Sequence, residues 1–324
     1  MKLAAIDCGT NTVLLLLADW QPGQRPRLRR VADFMEMPRL GQGLDATGSL
    51  QPEAMERALV ALRRQRERAE QAGAERIIAI ATESVRAAKN GAEFLAAAAA
   101  DPVGVPLRVV GGDEEARLSF RSVAESVGAS ASAPASADSD VPWRSVVDIG
   151  GGSTELIVGH GRQMAAHRSV PIGSVRLTER LIKHDPPTAE EHAALIASID
   201  AAISALPEAR GSLVALAGTA TSVAALQLGD RMPSYDGDLV DGMQLPCATL
   251  AAWVDRLRQL SVAERRALPG LDPRRADVIY AGATILWRVA VRARVDAVTV
   301  SDRGVRWGAL EELVDSLAAT CPPG

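Results

Sequence analysis

Two stretches of the chain place a carboxylate, a glycine turn and small hydroxyl residues in the same order. Residues 4–12, AAIDCGTNT, end an apolar run on Asp7 and turn through Gly9, Thr10 and Asn11. Residues 146–156, VVDIGGGSTEL, end one on Asp148 and turn through Gly150, Gly151, Gly152 and Ser153 before Glu155. A buried strand that delivers a carboxylate into a glycine turn puts a hard-cation ligand beside open backbone N–H groups, a pairing that suits phosphate. Two further strand ends join them. In residues 216–222, LAGTATS, Gly218 and Thr219 leave a strand and open a helix, an anion site by exposed amides and helix dipole. Residues 300–304, VSDRG, make a similar switch. One glycine turn after a strand is ordinary turn chemistry. Four, two of them paired copies, point to two similar half-molecules facing one phosphate-filled cleft.

Residues 109–118, VVGGDEEARL, set three acids at a helix start, which complements the helix dipole and could be capping alone. Held among phosphate charges, one of them would gain the proton affinity that a general base for water requires. With Asp113 as N-cap and Glu114 toward solvent, Glu115 is the candidate. Arg86, one turn into a helix and just past a strand end, is placed for a phosphate clamp, although a surface role is the plain alternative.

The composition agrees with such a site and excludes others. At 324 residues the chain exceeds a usual single core and should form two domains. A net charge of −4 provides no basic field for nucleic acid. Lys2, Lys89 and Lys183 are its lysines, so positive charge is carried by arginine. Cys8, Cys247 and Cys321 are scattered, which argues against a disulfide framework or zinc site. His160, His167, His184 and His192 follow no ligand spacing. An oxygen-rich site selects magnesium or manganese instead. The start leads straight into a strand, leaving no room for a signal peptide, and no run approaches the ~20 apolar residues that cross a bilayer. A cytoplasmic location away from membranes is expected.

The positioning elements read as two repeats of one scheme. Strands are expected at 3–6, 13–18, 27–34, 77–81 and 107–110, with helices at 53–71, after Thr82 as cap, and from 113 to 127. In the first of these helices Met55, Leu59 and Leu62 share a face, and Arg66–Glu70 is an opposite-charge pair. Residues 129–142 are small and polar, cannot build a core, and mark a loop near a domain junction. Strands follow at 146–149, 156–158, 213–217 and 297–300, and helices at 189–206, 249–260, 276–292 and 305–317. Alternating strands and helices argue α/β. The hairpins that open both halves argue for mixed rather than purely parallel sheets.

The blocks AIDCGTNT, ATESVRAAKNGAEFL, VVGGDEEARLSF, DIGGGSTEL, ALAGTATS, RADVIYAGATIL and VSDRGVRWGAL resemble, in order, motifs of the exopolyphosphatase/guanosine pentaphosphate phosphatase family. That family belongs to the actin-like superfamily. The resemblance implies two ribonuclease-H-like domains, residues 1–126 and 127–304, with the active site between them and a final helix, 305–324, packed back on the first. It implies Glu115 as catalytic base, Arg86 as a phosphate contact at the catalytic site, and Asp148 and Glu155 as magnesium ligands, to which the strand-end reading adds Asp7. Phosphate contacts fall to Thr10, Asn11, Gly151, Gly152, Ser153, Gly218 and Thr219, and homodimerisation is expected. Asp241-Gly242 stands where members often have His-Gly, and the His-Asp module of long members is missing. The expected activity is removal of terminal phosphate from inorganic polyphosphate. Hydrolysis of guanosine pentaphosphate is the alternative on the same machinery. A non-catalytic polyphosphate or alarmone sensor is a rival from another class, and a sugar or acetate kinase lacks a marked acceptor site.

Overall fold

Strand β1 (Lys2–Cys8) is apolar at nearly every position because both of its faces are covered. Ala4, Ile6 and Cys8 enter one core with Leu62 and Phe94, while Leu3 and Ala5 enter another with Trp307, Leu310 and Val314. A continuous apolar run is what a doubly covered strand requires. β2 (Val13–Trp20) and β3 (Leu28–Glu36) extend the sheet antiparallel on one side. β4 (Arg76–Ala81) and β5 (Arg108–Val109) extend it in parallel on the other, giving the order β3-β2-β1-β4-β5.

The computed structural model describes residues 1–22, 27–127 and 142–320. By chain contacts it divides into two compact units, Met1–Pro134 with Gly304–Gly324, and Ala135–Arg303. The polar loop expected at 129–142 lies outside the described residues except for Pro142, as does Cys321.

The second unit repeats the plan. β6 (Trp143–Ile149), β7 (Thr154–His160) and β8 (Gln163–Val170) form an antiparallel meander. β9 (Ser212–Leu216) and β11 (Ala297–Val300) add in parallel, and β10 (Gln244–Pro246) closes the order β10-β11-β9-β6-β7-β8. Both sheets are mixed and flanked by helices, so the α/β expectation holds. The copies agree in detail. Gly9 N–H donates to the Thr12 carbonyl at 2.9 Å, and Gly150 N–H to that of Ser153 at 3.0 Å. A bulge interrupts the first hairpin between Leu17 and Ala18 and the second between Val158 and Gly159. The interval from Asp7 to Asp148 is also the interval between these bulges.

Several local expectations need correction. The helix carrying Glu115 starts at Gly112, since Glu115 N–H already donates to the Gly111 carbonyl at 2.8 Å. Asp113 therefore lies inside the first turn and is not its N-cap. Thr82 precedes a five-residue helix, Glu83–Ala87, without a side-chain capping bond, and a separate helix, Gly91–Ala99, follows. The Pro52–Gln71 helix buries Ala54, Ala58, Ala61 and Leu62, leaving Met55 and Leu59 at the margin of that face. The Arg66–Glu70 pair forms at 3.5 Å.

The helix Val305–Thr320 belongs to the first unit. Trp307, Leu310 and Val314 cover β1 and β2, and an added Cβ at Gly308 would collide with the carbonyl oxygen of Leu118. Arg121 pairs with Glu311 at 3.3 Å, and Arg306 with Asp33. No described helix is long and apolar enough to cross a membrane.

Candidate functional site

In the first unit the turn after β1 is clamped from outside. Gly41 N–H donates to the Thr10 carbonyl at 2.8 Å and Arg39 N–H to that of Asn11 at 3.0 Å. Gly41 lies so close to the Thr10 methyl that a larger residue would displace it. The Thr10 hydroxyl donates to the Glu83 carboxylate at 3.3 Å. Two strands away, Arg86 Nη1 donates to the Val110 carbonyl at 2.7 Å and to Glu115 Oε2 at 3.2 Å. The two candidate catalytic side chains thus meet, joined at the ends of β4 and β5. The Glu115 helix begins at Gly112, shortly after β5 ends at Val109. Glu114 turns instead to Arg108.

In the second unit Asp148 and Glu155 are register partners across β6 and β7. Directly opposed residues share a face, so these acids are neighbours. Glu155 is buried at 6 % exposure and accepts from the Ser169 hydroxyl at 2.5 Å. Asp7 holds the matching place on β1, but its register partner is Leu14. The duplicated scaffold therefore pairs two acids in one copy only.

The glycine run 150–152 is held by the helix Ser174–Leu181. Ser174 N–H donates to the Gly150 carbonyl, and those of Val175 and Arg176 to the Gly151 carbonyl, each at 3.0 Å. Arg176 Nη1 adds a bond to the Gly152 carbonyl at 2.5 Å. Gly173 packs against the Gly151 backbone where any Cβ would collide. Thr219 Oγ1 donates to the Ile149 carbonyl at 3.4 Å, tying the β9 turn to this one. At that turn Ala217 takes a left-handed φ of 64°, strain that tends to persist where function fixes the backbone. The Arg275 guanidinium lies directly on Gly218, and burial pulls its pKa down.

Sequence reasoning missed Arg275, Arg176 and Glu83. Arg275 opens the RADVIYAGATIL block, but nothing in its spacing links it to Gly218. Arg176 follows the glycine–serine helix start at 173–174, which was a readable signal. At β11, Ser301 Oγ and Asp302 N–H both donate to Asp241 Oδ1, at 2.8 and 3.0 Å. The Asp241 departure thus serves to hold that strand end.

No cluster of three or more His, Cys, Asp or Glu side chains suited to a metal occurs among the described residues. A site that needs only two carboxylates is compatible with this, since magnesium usually keeps several waters and takes its remaining ligands from substrate phosphates. The Asp148–Glu155 pair meets that requirement.

A model described as the Ppx/GppA phosphatase family matches residues 24–317. The chain is 38% identical over 319 residues to "Exopolyphosphatase 2" of Mycobacterium tuberculosis, covering 94% of this chain and 96% of that protein. It is 30% identical to the guanosine-5'-triphosphate,3'-diphosphate pyrophosphatase of Vibrio parahaemolyticus over 97% of its own length, but spans 59% of that longer relative. Among solved structures, an exopolyphosphatase-like protein superposes with a TM-score of 0.84 at 30% identity, covering 98% of this chain and 100% of the other. The Aquifex aeolicus member of the Ppx/GppA family gives 0.79 at 32% identity, with 98% of each chain covered.

Proposed function

The chain belongs to the Ppx/GppA phosphatase family, and from that membership we propose that it is an exopolyphosphatase, removing the terminal phosphate of inorganic polyphosphate by attack of water. The observation that carries this reading is the 38% identity to a protein named exopolyphosphatase over 94% of the chain. The Arg86–Glu115 pair at 3.2 Å adds a base with its positioning partner.

Asp148 and Glu155 would hold magnesium, which when bound neutralises phosphate oxygens and strengthens the leaving group. The amides of the Gly151, Gly152 and Ser153 turn orient phosphate oxygens, together with the Gly218–Thr219 helix start and the Arg275 cation. Glu115 takes the proton from the attacking water, and Arg86 holds that carboxylate in place. Such a division suits phosphoryl transfer, in which positioning and charge neutralisation carry most of the catalysis. Asp7 and the Thr10–Asn11 turn are the remaining candidate contacts of the first unit. Homodimerisation and a cytoplasmic location are further parts of this proposal.

Guanosine pentaphosphate is the second candidate substrate, favoured by the likeness to the Vibrio enzyme. Phosphate release from short polyphosphate, long polyphosphate and guanosine pentaphosphate, each with and without magnesium, tests both. Magnesium-dependent release from polyphosphate is expected. Binding of all three without release would replace the hydrolase with a sensor.

A further inference from the structure

Three neighbouring strands of the second unit end side by side. β9 pairs in parallel with β6, Leu216 beside Asp148, and with β11, Ala215 beside Val300. Ser301 N–H continues the second pairing to the Ala215 carbonyl at 2.9 Å. The turn from Gly150 follows β6, Gly218 under the Arg275 guanidinium follows β9, and Asp302 follows β11. At this third end the Tyr235 hydroxyl donates to Asp302 Oδ1 at 2.5 Å. That hydroxyl also lies near enough to Arg275 to act on its charge. Tyr235 belongs to a segment anchored on both sides by Met232 and Val240, which enter the core of the second unit. Between these anchors Tyr235 and Leu239 stay 54 % and 51 % exposed. The aromatic ring is thus held at its hydroxyl while the rest of it meets solvent.

Neighbouring strands stand about 4.8 Å apart, so the β11 end lies roughly 10 Å from the β6 end. That span is comparable with the length of a triphosphate. A chain whose terminal phosphoryl sits at the β6 turn crosses the helix start after β9 and the Arg275 cation, both suited to anions. It reaches Tyr235 where a triphosphate gives way to its nucleoside. Inorganic polyphosphate has nothing apolar to place there, and its next phosphates meet carboxylates. The short helix Gly237–Val240 carries Asp238 between Asp236 and Asp241, and Arg303 lies 3.9 Å from Asp241. An uncharged purine avoids that repulsion and gains from an aromatic face. We propose that Tyr235 is the stacking platform for the guanine base of guanosine pentaphosphate, and so a residue that sets selectivity between the two candidate substrates. Leu239 adds apolar surface on the same segment. This role rests on the hydrolase reading for the position of the terminal phosphate, but base stacking is measurable without any turnover.

Guanosine tetraphosphate, the nucleotide left after the terminal phosphate is removed, is the binding probe, titrated calorimetrically into the full-length chain with magnesium present. Tyr235→Ala should weaken its binding by about tenfold or more. Tyr235→Phe keeps the ring and loses the bond to Asp302, so it should weaken binding by less. In turnover, Tyr235→Ala should raise the ratio of KM for guanosine pentaphosphate to KM for polyphosphate by a similar factor, a split that a merely loosened segment does not produce. Unchanged tetraphosphate affinity in Tyr235→Ala overturns the proposal. So does an equal loss in Tyr235→Phe, or a KM ratio that does not move. If the unsubstituted chain releases no phosphate from either substrate while Tyr235→Ala still weakens tetraphosphate binding, the hydrolase reading falls and the platform stands. If it hydrolyses polyphosphate but binds no guanosine tetraphosphate, the platform falls and the hydrolase reading stands.

Discussion

Asp148 faces Glu155 across β6 and β7, while Asp7, at the same place in the other copy, faces Leu14. One scaffold has been used twice, and the acid pair built once. The proposed function assigns magnesium to the Asp148–Glu155 pair. Asp148→Asn and Glu155→Gln should each raise the magnesium concentration needed for half-maximal phosphate release, by about tenfold or more. Equal magnesium dependence in variant and parent would remove the pair from that role.

Glu115→Gln keeps the shape of the base and removes its proton affinity. Turnover is expected to fall by about 10²- to 10⁴-fold, with polyphosphate still retained in a filter-binding assay. Near-normal turnover would reassign the base.

Arg86 bridges the Val110 carbonyl and the Glu115 carboxylate. Arg86→Ala should depress the catalytic rate, because Glu115 is no longer held. Arg86→Lys keeps the charge but loses the rigid guanidinium that aims Nη1 at both acceptors, so it should recover only part of the loss. Full recovery by lysine would mean that charge alone matters.

Gly308 packs on the Leu118 carbonyl, one turn along the helix that carries Glu115. Gly308→Ala forces those helices apart and should cost about 1–3 kcal/mol of stability, the usual range for overpacking. Urea unfolding measures this, and an unchanged midpoint would contradict the close approach.

His192 Nδ1 lies 2.6 Å from the Tyr280 hydroxyl. Burial, aided by the nearby Arg258, lowers its pKa below the ordinary 6.5, with Asp255 opposing. Between that lowered value and 6.5 the unfolded chain binds a proton that the folded chain does not. Stability should therefore fall as pH drops through this window and recover as it rises. Unfolding midpoints between pH 7 and pH 5 test this: His192→Gln should flatten that part of the profile, and an unchanged slope would rule His192 out.

The sequence made the strand-end turns legible because an apolar run, a carboxylate and glycines are local signals. The final helix was equally clear, since Leu310, Leu313, Val314 and Leu317 form one stripe. β8 stayed hidden because it is an edge strand, largely exposed, with the mixed sequence QMAAHRSV. β10 is three residues long and ends in proline. The Arg275–Gly218 contact joins segments far apart in the chain, and no local pattern encodes it. Glu83 opens a five-residue helix, and its contact with Thr10 likewise joins segments far apart in the chain.

The first unit's helix Val305–Thr320 reaches the ribosome exit only after the entire second unit has been synthesised. Until then Leu3, Ala5, Leu16 and Trp20 lack the cover that Trp307, Leu310 and Val314 provide. The half of the protein made first is thus completed last, and a nascent chain stalled before Val305 would display an adhesive sheet face that chaperones should recognise.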